Sequence, residues 1–308
     1  MRNPRKLYEI DTEVAARLAE MNGAPVLVHA VRGFVDSGSV AAVISEHLVS
    51  SSDPLRLATF EVDELLDYRS RRPAMTFASN AWVDVDAPEL VIDVVPDAEG
   101  TQYLLLHGLE PDTQWERFAA ATTQIIEDFG VSLVVGVHGI PMAVPHTREL
   151  SATVHGTRPE LVADFPSWFG NVQVPGSASS LLELRLGEAG HDAVGLAVHV
   201  PHYLASSTYP AAAVTGLGFI ERLTGLDLDA AGLEPAVLQA AEEVERQLSD
   251  SDEALEVVRA LENQYDAFRR GTEAEGMLAS GAPIPTAEEL GDEFERFLAQ
   301  QSKDPGQQ

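Results

Sequence analysis

The stretch VSLVVGVHGIPMAVPHTR, residues Val131 to Arg148, decides the fold. Six of its first seven residues are apolar or Gly, and Gly130 before and His138-Gly139-Ile140-Pro141 after bound the run. That pattern predicts a strand buried on both faces, the kind found in the middle of a parallel sheet. Past the run the chain turns polar, with Pro141 and Pro145 directing its path. In an open α/β sheet this position borders the crevice outside the carboxyl ends of the strands, where ligands are held. An imidazole, a hydroxyl and a guanidinium, those of His146, Thr147 and Arg148, would stand there beside His138.

Outward from this strand, the pattern alternates between strand and helix. Pro25 to Val31 reads as a strand, and Arg32-Gly33-Phe34-Val35-Asp36-Ser37-Gly38-Ser39 turns it into a helix ending near Leu48, with Asp36 or Ser37 as N-cap. Arg32, Gly33 and Asp36 are thereby candidates for the pocket rim. Leu55 to Glu61 reads as a strand and Val62 to Tyr68 as a short helix. Met75 to Val85 and Leu90 to Val95 read as a hairpin around Asp86-Ala87-Pro88. Gln102 to His107 is a further strand, and a helix over Thr113 to Phe129 comes after it, with Asp112 as N-cap and Trp115 in the core. Beyond the organising strand come a strand at Leu150 to His155, a short helix at Arg158 to Asp164, and strands at Leu181 to Leu186 and Ala193 to Val200. Val-Pro-His recurs at 144–146 and 200–202, each time just past an apolar strand, so that His146 and His202 would line one crevice.

Composition narrows the functional classes. The chain has 308 residues, 45% hydrophobic, with 20 Lys+Arg against 49 Asp+Glu and a net charge of -29. Nucleic acid and anionic membrane surfaces would be repelled. There is no cysteine, hence no disulfide and no thiolate chemistry. No apolar run approaches 18 residues and the N-terminal stretch has no apolar h-region, which predicts a soluble, cytoplasmic protein. In so acidic a chain, Arg69, Arg71 and Arg72 form a notable basic cluster, either an exposed turn paired with local carboxylates or an anion clamp or subunit interface.

Catalytic signatures are sparse. Neither G-x-S-x-G nor a phosphate-binding glycine loop occurs. Glu61, Glu110 and Asp112 fall at strand ends, where a general base could sit with His138 or His146 as acid, although capping and turn formation explain the same residues. His199 and His202 are three apart at a strand end and point to opposite faces, so no metal site is expected. Tyr209 to Leu223 reads as a helix with small residues for close packing. Residues 235–248 and 252–269 read as two amphipathic helices forming a hairpin against the sheet domain. A linker over 271–285 leads to a helix over 286–300 with Leu290, Phe294, Phe297 and Leu298 on one face, a candidate for docking a partner, and then a disordered tail. The expected organisation is thus a sheet domain over 1–228, a helical hairpin over 229–270 and a linker-plus-helix over 271–308.

GFVDSG at 33–38, DYRSRRP at 67–73, LEPDTQW at 109–115, GIPMAVPHTR at 139–148, and VHVPHYLA with YPAAA between 198 and 213 together resemble the bacterial branch of the proteasome assembly chaperone 2 family. The resemblance runs from about residue 7 to Phe268. It implies a three-layer α/β/α sandwich like that of purine nucleoside phosphorylases, and a homo-oligomer, a trimer being one form. It also implies a chaperone-like role toward a protein partner. Family members that dock on proteasomes through a C-terminal hydrophobic-tyrosine-any tripeptide differ from this chain, which ends Asp304-Pro305-Gly306-Gln307-Gln308. Some bacterial relatives carry the label carboxylate-amine ligase, but no ATP-cradling loop is present and no cofactor is expected. The leading reading is a non-enzymatic binding or assembly protein. The alternative is an enzyme of hydrolase, phosphorylase or ligase type acting on a small polar or anionic substrate.

Overall fold

The computed structural model describes residues 3–20, 23–166, 170–249 and 251–277, with side chains as far as residue 270. In chain order the elements are β1 (Tyr8–Ile10), α1 (Thr12–Ala19), β2 (Val26–Arg32), α2 (Val40–Ser50), β3 (Leu55–Phe60), α3 (Val62–Leu65), β4 (Met75–Ala78), β5 (Ala81–Val85), β6 (Leu90–Pro96) and β7 (Gln102–Leu109). The second half of the chain adds α4 (Trp115–Asp128), β8 (Leu133–Met142), β9 (Ala152–Gly156), α5 (Ala178–Ala189), β10 (Ala193–Pro201), α6 (Pro210–Thr224), α7 (Glu234–Ser249) and α8 (Asp252–Met277).

Eight strands form one sheet in the order β1-β3-β6-β7-β2-β8-β10-β9. β8 lies between β2 and β10 and is parallel to both, and β2 is parallel to β7. Antiparallel strands flank this parallel centre: β6, β3 and β1 on one side, β9 on the other. Strand alternation then divides the core in two. Val28, Leu105, Val135, Val137 and Val198 meet Ile44 and Leu48 of α2 and Ala212, Leu217 and Ile220 of α6. Leu27, Leu104, Leu106 and Val134 meet Leu18 of α1, Phe118 and Ile125 of α4, and Leu182 of α5. The protein is a mixed α/β fold with a large central sheet and helices on both faces. α7 joins the first cluster through Val244, and α8 buries Val258 and Leu261.

Several local expectations are corrected. Leu181 to Leu186 is not a strand but lies within α5. β8 and β10 are parallel neighbours; the chain returns from β8 through the antiparallel edge strand β9, and before β10 begins α5 packs on the sheet face. Its buried residues Ala178, Leu182 and Leu186 recur every four positions; Ser177 caps the start and Gly190, at φ 85°, ends it. Met75 to Val85 does not pair with Leu90 to Val95. β4 and β5 close on each other around Ser79-Asn80, every residue in them exposed, while β6 enters the main sheet between β3 and β7. The helix expected to run to Tyr68 stops at Leu65. Asp112 is not the cap of α4, whose Ncap is Gln114 in the left-handed region; the Asp112 carboxylate accepts the Asp67 N–H at 2.8 Å instead. The organising strand itself continues to Met142, so His138 is a mid-strand residue.

Close packing at the sheet centre depends on glycine. A Cβ at Gly136 of β8 would lie 2.3 Å from the ring of His29 on the neighbouring strand. His29 is buried and has nowhere to retreat. Gly136→Ala is expected to destabilise the protein by about 1–3 kcal/mol through overpacking, read as a lower urea midpoint. His29→Ala in the same chain should recover part of the loss; equal midpoints for wild type and Gly136→Ala would refute the contact.

Candidate functional site

The residues singled out in the sequence separate into three places. The first joins the ends of β2 and β7 to the start of α5. Glu110 is buried, and its carboxylate accepts the Phe34 N–H at 3.0 Å and the Ala178 N–H at 2.7 Å, so one side chain holds three segments. Gly33 is required beside it, because a Cβ there would meet Glu110 Oε2 at 2.2 Å. Arg71 Nη1 donates to the Glu110 carbonyl at 3.0 Å, and the same guanidinium pairs with Asp112 at 3.1 Å. Arg69 bonds Asp67 at the surface, Arg72 is exposed, and Arg32 reaches Glu46 at 4.0 Å. The basic cluster therefore does not converge on one space.

Asp36 closes the neighbouring loop. Its carboxylate accepts from Ala41 N–H at 2.9 Å, Ala42 N–H at 3.3 Å and Gly139 N–H at 3.3 Å, capping α2 while pinning it to β8. Burial raises its pKa, an effect that these backbone donors oppose. Gly139 has no room for a side chain, since a Cβ would stand 2.0 Å from the Ser37 carbonyl. The glycine-rich turn is thus filled by the chain's own groups.

The second place is a layer of histidines on the α4/α5 face of the sheet. Register sets His29, Gly136, Gly195 and His155 side by side across β2, β8, β10 and β9. One residue pair along, His138 faces Ala197, and beyond it the His199 Nε2 lies 2.8 Å from Thr153 Oγ1. His155 Nδ1 lies 2.8 Å from Glu183 Oε1 of α5, which raises its pKa against the effect of burial. Burial lowers His29, His138 and His199 to about 4, with neighbouring histidines adding to the effect at the first two. These rings are neutral at pH 7. Among the described residues, no group of three His, Cys, Asp or Glu side chains is arranged to hold a metal ion.

The third place is where both Val-Pro-His tips meet. The Tyr203 hydroxyl accepts the His146 N–H at 2.8 Å and lies 2.7 Å from His146 Nδ1. Burial lowers the His146 pKa, opposed by the charges of Glu262 and Glu245. His202 is exposed, its ring edge-on to Tyr203 at 5.4 Å. Thr147 Oγ1 donates to Glu262 Oε1 at 2.5 Å. Arg148 grips Asp266 with two hydrogen bonds, 2.8 and 2.9 Å, and Glu262 with a third at 3.1 Å. Tyr265 adds a bond from its hydroxyl to the Glu149 carbonyl at 2.8 Å. Thr147 and Arg148 are therefore engaged by α8.

His138 and His146 are not brought together. His138 shares the face of Val134, toward α4 and α5, whereas Tyr203, the partner of His146, packs against the α2/α6 cluster. Sequence reasoning did not anticipate Glu262 and Asp266 as partners of Arg148, nor the row of His29 and His155 over paired glycines. Charge on the exposed face of a Glu-rich helix gives no partner, and a row across four strands requires their register. Leu290, Phe294, Phe297 and Leu298 lie outside the described residues.

The profile of the PAC2 family matches residues 30–250. A Mycobacterium tuberculosis protein of unknown function is 43% identical, with 96% of this chain and 97% of that one covered at a TM-score of 0.83. A Corynebacterium glutamicum protein of unknown function is 35% identical over 85% of this chain and 97% of its own, TM-score 0.79. A Mycobacterium tuberculosis proteasome-assembly chaperone homologue shares the fold at 22% identity, covering 76% and 99% of the two chains, TM-score 0.69. No curated protein matches the chain. No helix among the described residues is long and apolar enough to cross a membrane.

The buried histidines make stability depend on pH, and the Arg148 contacts make α8 depend on one side chain. His29, His138 and His199 have folded-state pKa values near 4, below the ordinary 6.5, so the unfolded chain binds more protons between those values. Their contribution to stability is complete above pH 6.5 and declines as pH falls toward 4. Urea midpoints at pH 7 and pH 5 should show the drop, and His29→Gln should reduce it; an unchanged difference in that variant would exclude His29. Arg148→Ala should free α8, seen as faster amide exchange across residues 252–270 with the exchange of β8 and β10 unaltered. Exchange of α8 at the wild-type rate would show that Arg148 is not its anchor.

Proposed function

The chain belongs to the PAC2 family, and from that premise we propose that it is a non-enzymatic, cytoplasmic assembly protein, chaperone-like toward a protein partner and itself a homo-oligomer. The observation that carries this reading is the hairpin β4–β5. All its residues are exposed, among them Met75, Phe77, Trp82, Val83 and Val85, and Phe77 and Trp82 stack edge-on at 5.0 Å. An isolated two-stranded hairpin is marginally stable in water, and contiguous exposed apolar residues mark an association surface. A second copy of the chain is the occupant that suits this arm, because the exposed Arg69 and Arg72 at its base complement a chain of net charge -29. The partner's class is suggested by the relative described as a proteasome-assembly chaperone homologue.

In this reading the two apolar clusters make a three-layer α/β/α sandwich of the phosphorylase-like kind over 1–228. The helical hairpin packs on it, its second helix continuing past residue 270, where a linker was expected, to Met277, and Leu290, Phe294, Phe297 and Leu298, outside the described residues, would dock a partner. Arg32, Gly33, Asp36 and Glu110 serve as scaffold around the strand ends, and Arg71 as a tie between loops.

The second reading, an enzyme acting on a small polar or anionic substrate, is favoured by the His146–Tyr203 pair alone. His202 would join that pair at the rim. The engagement of Arg148 and Thr147 by α8 argues against it, because the cation that would receive an anion already holds two carboxylates.

Phe77→Ser with Trp82→Ser should lower the mass measured by light scattering toward that of one 33.1 kDa chain without loss of helix or sheet signal. The same variant should lose capture of purified proteasome α-subunits by the full-length protein. A wild-type chain that is already monomeric, or a variant of unchanged mass, would overturn the role of the arm.

A further inference from the structure

At the opposite end of the sheet from His146 lies a cavity of about 220 Å³. It sits between the C-terminal end of α2, the turn from β6 to β7 and the segment after α6, lined by Leu48, Asp97, Tyr103, Asp227, Leu228 and Asp229 among others. Its walls are tied together by the chain itself. The Asp227 N–H donates to Asp97 Oδ2 at 3.1 Å and the Ala98 N–H to the Asp227 carbonyl at 2.9 Å. The Leu228 N–H donates to Glu221 Oε1 at 2.9 Å. His47 Nε2 reaches the carbonyls of Leu228 and Asp229 at 3.3 and 3.1 Å, and since carbonyls only accept, that nitrogen carries the proton. The cavity is preformed, which lowers the entropic cost of binding.

Two independent observations point to its ligand. Asp97, Asp227 and Asp229 line one space; Asp97 accepts the Glu99, Thr101 and Asp227 N–H groups and Asp227 accepts that of Asp229, but no cation of a described residue neutralises any of the three. Separately, Tyr103 is only 1% exposed and lines the same cavity, yet no described residue hydrogen-bonds its hydroxyl. Burial and the charge of Asp97 raise its pKa, so it is a phenol at neutral pH. The hydroxyl keeps access to the cavity, and a ligand there would supply the partner that the protein does not. The three carboxylates do not count as a metal-holding group, while Leu48 and Leu228 give the space an apolar wall. The volume equals that of about seven waters at roughly 30 Å³ each, which suits a cationic group on a few carbons.

We propose that this cavity binds a small organic cation, an alkylammonium or guanidinium group. Its charge lies among Asp97, Asp227 and Asp229, one N–H donates to the Tyr103 oxygen, and its carbons pack on Leu48 and Leu228. The same chemistry is offered by a free amine and by a Lys or Arg side chain of another protein.

The test is a titration of the isotopically labelled full-length chain with propylammonium, with methylguanidinium, and with blocked tripeptides bearing a central Lys or Arg, followed through backbone amide shifts. Saturable shifts confined to residues 97–103 and 226–230 are expected, with Kd on the order of 1–10 mM. Asp227→Asn with Asp229→Asn should weaken binding about tenfold, and Tyr103→Phe should weaken it by a smaller factor. Asparagine keeps the size of each side chain and tolerates the left-handed backbone at Asp229, so the double variant should remain folded. Tighter binding of a tripeptide than of the free cations assigns the site to a partner's side chain; the reverse order assigns it to a small metabolite. Absence of saturable shifts, equal binding by the double variant, an equal response to propanol, or a site filled by calcium or magnesium that ignores both organic cations would each overturn the proposal.

Discussion

Parallel pairing at the centre of the sheet is the constraint on which the remaining structure depends. Strands β7, β2, β8 and β10 run the same way, so the chain must return after each of them, across a face after β7, β2 and β10 and through the antiparallel edge strand β9 after β8. Helices α2 and α6 take one face and α1, α4 and α5 the other, and the central strands become apolar on both sides. β10 is the extreme case, with all nine residues buried. Space is then so short that backbone replaces side chain wherever an imidazole or a carbonyl must pass, at Gly136 against His29 and at Gly139 against Ser37.

The same economy of space explains why polar residues at the strand ends behave as fasteners. Glu110 and Asp36 commit their carboxylate oxygens to backbone N–H groups of helices and loops. Such bonds to an ionised acceptor are strong and leave little capacity for an outside ligand. Arg148 is satisfied in a similar way by Asp266 and Glu262, so a cation in an acidic chain is used to dock an acidic helix. The surfaces without a neutralising or covering partner lie elsewhere: the aromatic arm β4–β5 and the cavity beside Tyr103, whose carboxylates have backbone donors but no cation.

The sequence alone was enough for the central strand, for most of the helix and strand order, and for family membership through several short motifs in the right succession. These are local or collinear properties, and periodicity or motif order records them. α5 was misread because LLELRL fits both a two-residue and a four-residue repeat over so short a run. Only the packing of Ala178, Leu182 and Leu186 against the sheet and α4 distinguishes the two. The hairpin was misassigned for a related reason, since whether 75–85 folds on itself or pairs with 90–95 depends on which strand takes the place beside β7 in the sheet.

Which polar residues meet was decided by the tertiary structure. His146, Thr147 and Arg148 are neighbours in the chain, but their partners Tyr203, Glu262 and Asp266 lie 57 to 118 residues away. His138, eight residues before His146, belongs to the other face because β8 ends at Met142 and the chain has left the strand before it reaches His146. Local spacing determines which elements form and which way each residue points. Distance in space depends on the order of strands in the sheet and on where the helical hairpin docks, and neither is encoded within a window of the chain short enough to show a period.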